Sequence, residues 1–331
     1  MGLSQVSLRD IPFLSLKDIG DRQVPLIPLW DGARWTLWLR PDDGQLLETH
    51  PVDVATSLYW AKNEARETDI YFPFSDFVWQ HVSWPDVARA AAAIEGRLEN
   101  LCTAVAKIDF FWQHRGNDLL DVAEFVATEI EYISVIARSV LDDLQKVMAG
   151  IWDRIELLDS EAQRRKRSLP PDSMAKMTLK GEVVRPAEEL TKTYGLPAVV
   201  AEFYAASGSL LQKVRRLRNG VIHQGTSNGP IFVVEKGFAI GREQPLFKTF
   251  PEIWLKEHAY NENVYSLRPL IAHVAVNALH TCTLAAHALA KSLAFPPEVA
   301  PGYRVFIRAP HSSALLKAQA VLEGANPWWE P

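Results

Sequence analysis

The stretch LLQKVRRLRNGVIHQG, Leu210 to Gly225, places Lys213, Arg215, Arg216, Arg218, Asn219 and His223 within eleven residues of a chain whose formal net charge is -5. Four cations, an amide and an imidazole so close together suit the holding of an anion. They suit a solvated helix end equally, because cations in the last turn complement the helix dipole and a glycine just beyond is a common C-terminal stop. On a helical wheel Gln212, Arg216, Asn219 and His223 recur at steps of four, three and four and form one polar stripe. Arg218 sits about 140° away from His223, on the flank of the apolar face, so one helix does not easily aim both at one atom. A partly buried Arg on that flank requires a carboxylate or phosphate partner, since its five donors are costly to leave unpaired. Glu124 or Glu129 of the preceding helical segment would serve as the carboxylate.

The elements that must carry this stretch are mostly helical in pattern. At SWPDVARAAAAIEGRL, Ser83 suits an N-cap and Pro85 and Asp86 a first turn; Val87, Ala91, Ile94, Leu98, Leu101, Val105, Ile108 and Trp112 then recur at alternating steps of four and three. After HRGND the same spacing resumes from Leu119 to Ile151, which predicts a second long helix folded back antiparallel on the first. A polar segment from Asp159 to Gly195 follows, with the run Arg164-Arg165-Lys166-Arg167 ahead of Pro170-Pro171. That run reads as a solvated loop face, with extension of an anion-binding surface as the alternative. A third helix begins near Leu196 and carries the cationic stretch, with Ser207-Gly208-Ser209 as a candidate bend. A hairpin turning at Glu235-Lys236-Gly237, a fourth helix over about Leu267–Leu293, a strand in YRVFIRAP and a short helix from Ser312 complete the reading.

These patterns predict a mainly α protein: an antiparallel helical bundle over residues 84–295, a small partly β appendage over 1–83 with a hairpin around Pro41-Asp42-Asp43-Gly44, a short β-hairpin insertion, and a strand plus helix over 296–331. With 331 residues, 48% hydrophobic and 23% charged, the chain is a globular one, and its net acidity restricts any nucleic-acid site to a local patch. Cys102 and Cys282 are its only cysteines, with no zinc-type spacing, which fits a reducing cytoplasm. No signal peptide and no run long enough to span a membrane is read, so the expectation is a cytoplasmic protein without a membrane partner. P-loop, GxGxxG and HExxH motifs are absent.

RNGVIH, Arg218 to His223, resembles the Arg-polar-x-x-x-His signature of the HEPN superfamily (higher eukaryotes and prokaryotes nucleotide-binding domain), and the helical order around it is similar to that of HEPN bundles. The resemblance covers about 84–295 and leaves 1–83, the hairpin at 230–241 and the tail beyond 296 unexplained. It implies a metal-independent, cofactor-free endoribonuclease in which the motifs of two protomers meet at a homodimer interface and RNA cleavage leaves a 2′,3′-cyclic phosphate. It implies His223 as general base or acid, Arg218 as the group stabilising the phosphorane, Asn219 as an orienting residue, and Lys213, Arg215 and Arg216 as grips on flanking phosphates. A toxin or defence setting, with an antitoxin or regulatory protein as further partner, belongs to the same implication. The alternative is a non-catalytic HEPN-like scaffold that binds RNA, a nucleotide or a protein.

Two further patterns bear on these alternatives. Trp30, Trp35, Trp38 and Trp60 would stack bases if exposed, but tryptophans at such density are more often core. His273, His280 and His287 recur every seven residues on the fourth helix, about 10.5 Å apart along its axis, too far for two to share a metal ion. Apolar stripes flank this seam, which predicts satisfied core or interface histidines; lining of a cleft near the Arg218–His223 motif is the other reading.

Overall fold

Alternating side chains in the first quarter of the chain form strands, and their sheet is completed from the other end of the sequence. The computed structural model describes residues 4–41, 45–116, 121–224 and 229–330, and the side chains of 218–224 are outside that description. Strands β1 (Ser4–Val6), β2 (Leu29–Trp30), β3 (Trp35–Leu39), β4 (Leu46–Thr49), β5 (Ser57–Ala61) and β6 (Ile70–Tyr71) precede the first helix, α1 (Pro73–His81). Residues 42–44, where the first hairpin turn was expected, lie outside the described residues, but β3 and β4 on either side pair antiparallel with Trp38 opposite Glu48.

The long amphipathic patterns become α2 (Pro85–Gln113) and α3 (Val122–Arg154). Ser83 is not the cap of α2: Trp84 takes that position, because the Ser83 hydroxyl donates to the Gln23 carbonyl and the Trp84 indole to Asp21. Ion pairs fix the antiparallel register of the two helices, with Arg97 on Asp143 at 2.7 Å, Lys107 on Glu129 at 2.9 Å and Asp86 on Arg154 at 2.9 Å. The segment expected as a loop instead holds α4 (Ser160–Arg165), α5 (Met174–Thr178), the small hairpin β7 (Leu179–Lys180) and β8 (Val183–Val184), and α6 (Ala187–Tyr194). Each is held to fewer than ten residues, too short to show a period in sequence.

The cationic stretch ends α7 (Ala198–Gln224), which runs without a break through Ser207-Gly208-Ser209. Gly208 serves proximity rather than bending: a Cβ there would lie 2.6 Å from a Val184 methyl of β8. Strands β9 (Phe232–Val234) and β10 (Gly237–Gly241), helix α8 (Pro245–Thr249), and strands β11 (Ala259–Asn261) and β12 (Val264–Ser266) follow, forming a four-stranded antiparallel sheet in the order β11-β12-β10-β9 with α8 beside it. Then come α9 (Arg268–Ala290), β13 (Arg304–Arg308) and α10 (Ser312–Leu322).

Strand β13 inserts between β5 and β6, with Phe306 opposite both Tyr59 and Tyr71, so the first and last parts of the chain share one seven-stranded mixed sheet ordered β1-β4-β3-β2-β5-β13-β6. The expectation of a mainly α fold is therefore corrected. The described residues contain ten helices, about 51% helix, together with that sheet and two smaller ones, an α/β fold rather than a helical bundle with an appendage. Short strands whose partners lie far apart in sequence leave little local pattern, and this is why the sheet escaped notice. Trp35, Trp38 and Trp60 are buried on its two faces, not displayed for bases.

Helices α7 and α9 pack on α3 and on each other, and α10 covers α2 and α9. Among the described residues α9 alone is long and apolar enough to cross a membrane, by length and composition only; 67% of its most apolar window is buried inside the protein, the pattern of a core helix.

Candidate functional site

Because α7 is regular through Gln224, the backbone positions of Arg218 and His223 in its last turns are separated by about 7.5 Å of rise and about 140° of rotation. The side chains of Arg218, Asn219 and His223 lie outside the described residues. The pairing of Arg218 with Glu124 or Glu129 lies outside them as well. Glu129 itself is occupied on one oxygen by Lys107, and its other oxygen is buried with no hydrogen-bond partner among the described residues.

The three cations expected to grip flanking phosphates differ in how they are held. Lys213 is largely buried; its ammonium donates to the Glu252 carboxylate and lies 5.7 Å from the centre of the Phe250 ring. Arg215 stands 3.7 Å from Glu182. Arg216 is exposed and has no ion-pair or hydrogen-bond partner among the described residues. Of the three, Arg216 is the one that needs no partner exchange to meet an anion.

Lys213 also marks one end of a groove of about 610 Å³ between α7 and α9. Phe203, Ser207 and Leu210 of α7 line one wall, and the α9 seam of His273, Asn277, His280, Leu284 and His287 lines the other. Val199 of α7 lies at the end where α9 reaches Ala288 and Lys291, and Lys213 lies at the end where α9 begins with His273, so the two helices run antiparallel. The histidine seam is thus not core: His273 is half-buried, and His280 and His287 are exposed. The apolar stripes on either side of the seam are consumed by α3, α10 and α7, which leaves the seam itself at the groove mouth.

The motif end of the groove is a connected polar cluster. The Asn277 amide donates to His273 Nδ1 at 3.1 Å, which leaves the proton on Nε2, and Nε2 faces Glu252 at 4.0 Å. Burial is the main influence on His273 and holds its pKa below the ordinary imidazole value; the Glu252 charge opposes this and the Lys213 charge adds to it. Burial works against charge on Glu252, but the hydrogen bond from Lys213, a backbone hydrogen bond and the charges of Lys213 and His273 together hold its carboxyl below the usual range. At neutral pH the cluster is therefore a Lys–Glu ion pair beside a neutral imidazole. Glu252 and Lys291 were not singled out in the sequence. Glu252 lies in a single-turn helix too short to show a period and Lys291 just past the last turn of α9, and only their places on the groove give them meaning.

Other candidate features are structural. In the basic run, Lys166 donates to the Ile155 carbonyl at 2.6 Å and lies over the Trp152 ring, and Arg167 donates to the Thr193 carbonyl at 3.3 Å, while Arg164 and Arg165 end α4. Both cysteines are buried, and burial pushes the Cys102 thiol up to about 12 and the Cys282 thiol up as well, so neither supplies a thiolate. No group of three or more His, Cys, Asp or Glu among the described residues is arranged to hold a metal ion. Compared with known proteins, the chain matches no family model, no curated protein and no solved structure, so any function rests on the residues themselves.

Proposed function

We propose that the protein is a metal-independent endoribonuclease of the HEPN type, working as a cytoplasmic homodimer. The observation that carries this reading is the regularity of α7 through Arg218-Asn219-x-x-x-His223. A regular helix turns Arg218 and His223 away from each other, so a phosphate reached by both asks for a second copy of the helix. In such a site His223 takes the proton of a ribose 2′-hydroxyl, or returns one to the 5′-oxygen as it leaves. The 2′-oxygen attacks phosphorus, the P–O5′ bond breaks, and a 2′,3′-cyclic phosphate and a free 5′-hydroxyl remain. Arg218 neutralises the charge that builds on the phosphorane oxygens, and Asn219 orients the ring or a nonbridging oxygen. Arg216 supplies a nearby free cation for a neighbouring phosphate.

A non-catalytic scaffold is the second reading. It is favoured by the occupation of Lys213 and Arg215 by carboxylates, which leaves fewer cations for a polyanion. Incubation with single-stranded RNA in EDTA separates the two readings. The ribonuclease reading expects cleavage, and expects His223→Ala and Arg218→Ala each to slow it about a hundredfold or more without changing the circular dichroism spectrum. Cleavage by both variants at the wild-type rate would remove these residues from the site.

A further inference from the structure

We infer that the groove between α7 and α9 is the track in which a single RNA strand lies on its way to Arg218 and His223; the substrate class rests on the ribonuclease reading. One wall of the groove is α7 itself, and the antiparallel packing places its Lys213–His273 end about 7.5 Å of helix rise before Arg218. From Val199 to Lys213 the wall is about 21 Å long, room for several nucleotides of an extended strand. A small ligand would need far less.

The lining fits a strand read without regard to sequence. Leu284, 43% exposed, and the half-buried Leu210 offer apolar surface for base and ribose faces. His280 and His287 are exposed, face the groove, and have no side-chain partner among the described residues. On a helix that otherwise buries its surface in the core, two unpartnered imidazoles in one row are donors awaiting an acceptor. The lining carries no net charge, since Glu252 is paired with Lys213 and Lys291 is balanced by Glu202, so hydrogen-bond donors and apolar surface, not a cationic track, would hold the strand; Lys291 at the far end engages no carboxylate among the described residues. A second groove, lined by Phe72, Leu98, Leu315 and Leu322, meets the first at Asn277 and His280, which line both, but it has no Lys or Arg and no residue of α7 on its lining.

The test uses a fluorescein-labelled 2′-O-methyl RNA 12-mer, which binds but is not cleaved, with anisotropy as the readout. Lys291→Glu and the double variant His280→Ala/His287→Ala are expected to weaken binding about tenfold, while Lys17→Glu, a charge reversal at an exposed position outside the groove lining, leaves it within about twofold. Saturating RNA is also expected to protect His280 and His287 from diethyl pyrocarbonate, read by peptide mass spectrometry. All substitutions are at exposed positions, and unchanged melting temperatures confirm intact folds. Groove variants that bind like wild type, or imidazoles modified equally with and without RNA, overturn the inference. If wild type cleaves RNA and the groove variants cleave it with the same KM, the track is wrong and the ribonuclease reading stands. If the groove variants lose binding while wild type cleaves no RNA, the track stands as a binding site and the ribonuclease reading falls.

Discussion

Glu95 is a carboxyl group placed almost wholly inside the protein, on the face of α2 that meets α1. Its Oε1 accepts a hydrogen bond from the Trp79 indole at 2.8 Å, and no cation pairs with it among the described residues. Burial dominates and raises its pKa; the nearby Ser75 hydroxyl and the hydrogen bond from Trp79 oppose the rise and the Glu99 charge adds to it. A carboxyl whose folded pKa lies above its unfolded one contributes stability that is fully present below the unfolded value and is lost as pH rises through the folded value. Glu95→Gln keeps the shape and removes the charge. We expect thermal melts to show the variant more stable than wild type at pH 8 and no more stable at pH 4. A variant less stable than wild type at pH 8 would mean that the ionised carboxylate has a favourable role. The same scale explains what could be read of the candidate site. The spacing of Arg216, Asn219 and His223 was visible as a stripe, whereas the pairing of Lys213 with Glu252 was not, because 39 residues separate them and nothing local links them.

Among the elements, β13 shows how much depends on one buried side chain. Arg308 is nearly inaccessible, with Nε and a terminal nitrogen donating to both oxygens of Asp69 at 3.1 and 3.0 Å and a further bond to Asp53 at 2.8 Å. Tyr59 of β5 also donates to Asp69, at 2.7 Å, and Arg308 lies 4.7 Å from the Trp35 ring centre, so the network ties β13 to β5, β3 and the loop before β6. Breaking one partner leaves a buried guanidinium short of charge, and Asp53 offsets this only in part. Asp69→Asn is expected to cost about 2–3 kcal/mol in urea unfolding; a cost below about 0.5 kcal/mol would show that Asp53 alone holds the arginine. The strand itself was legible as YRVFIRAP, as were α2, α3, α9 and the β9–β10 hairpin, because long apolar periods and turn residues are local signals. Its place between β5 and β6 was not legible, since register with strands some 245 positions earlier is set by the tertiary fold. The histidine seam shows the same limit: its period was plain, but which side of α9 stays open depends on where α3, α7 and α10 pack.

For the whole molecule, a seven-stranded sheet built from both ends of the chain braces a frame in which α2, α3, α7 and α9 lie side by side. The last residues lock this frame: Trp329 donates to Asp109 of α2 at 2.8 Å, and Arg268 at the start of α9 donates to the Trp328 carbonyl at 2.6 Å. In this frame α7 packs on α3 and α9, and its final turns carry Arg218 and His223. A site assembled from two such ends has a direct test in subunit mixing. Arg218→Ala and His223→Ala proteins, each purified alone, are expected to leave single-stranded RNA intact in EDTA. Mixed under conditions that exchange subunits, they should recover about a quarter of wild-type cleavage, because half of the dimers carry one site of two with an intact Arg218 from one protomer and an intact His223 from the other. Wild type that leaves the RNA whole, or a mixture as inactive as its parts, would contradict the account.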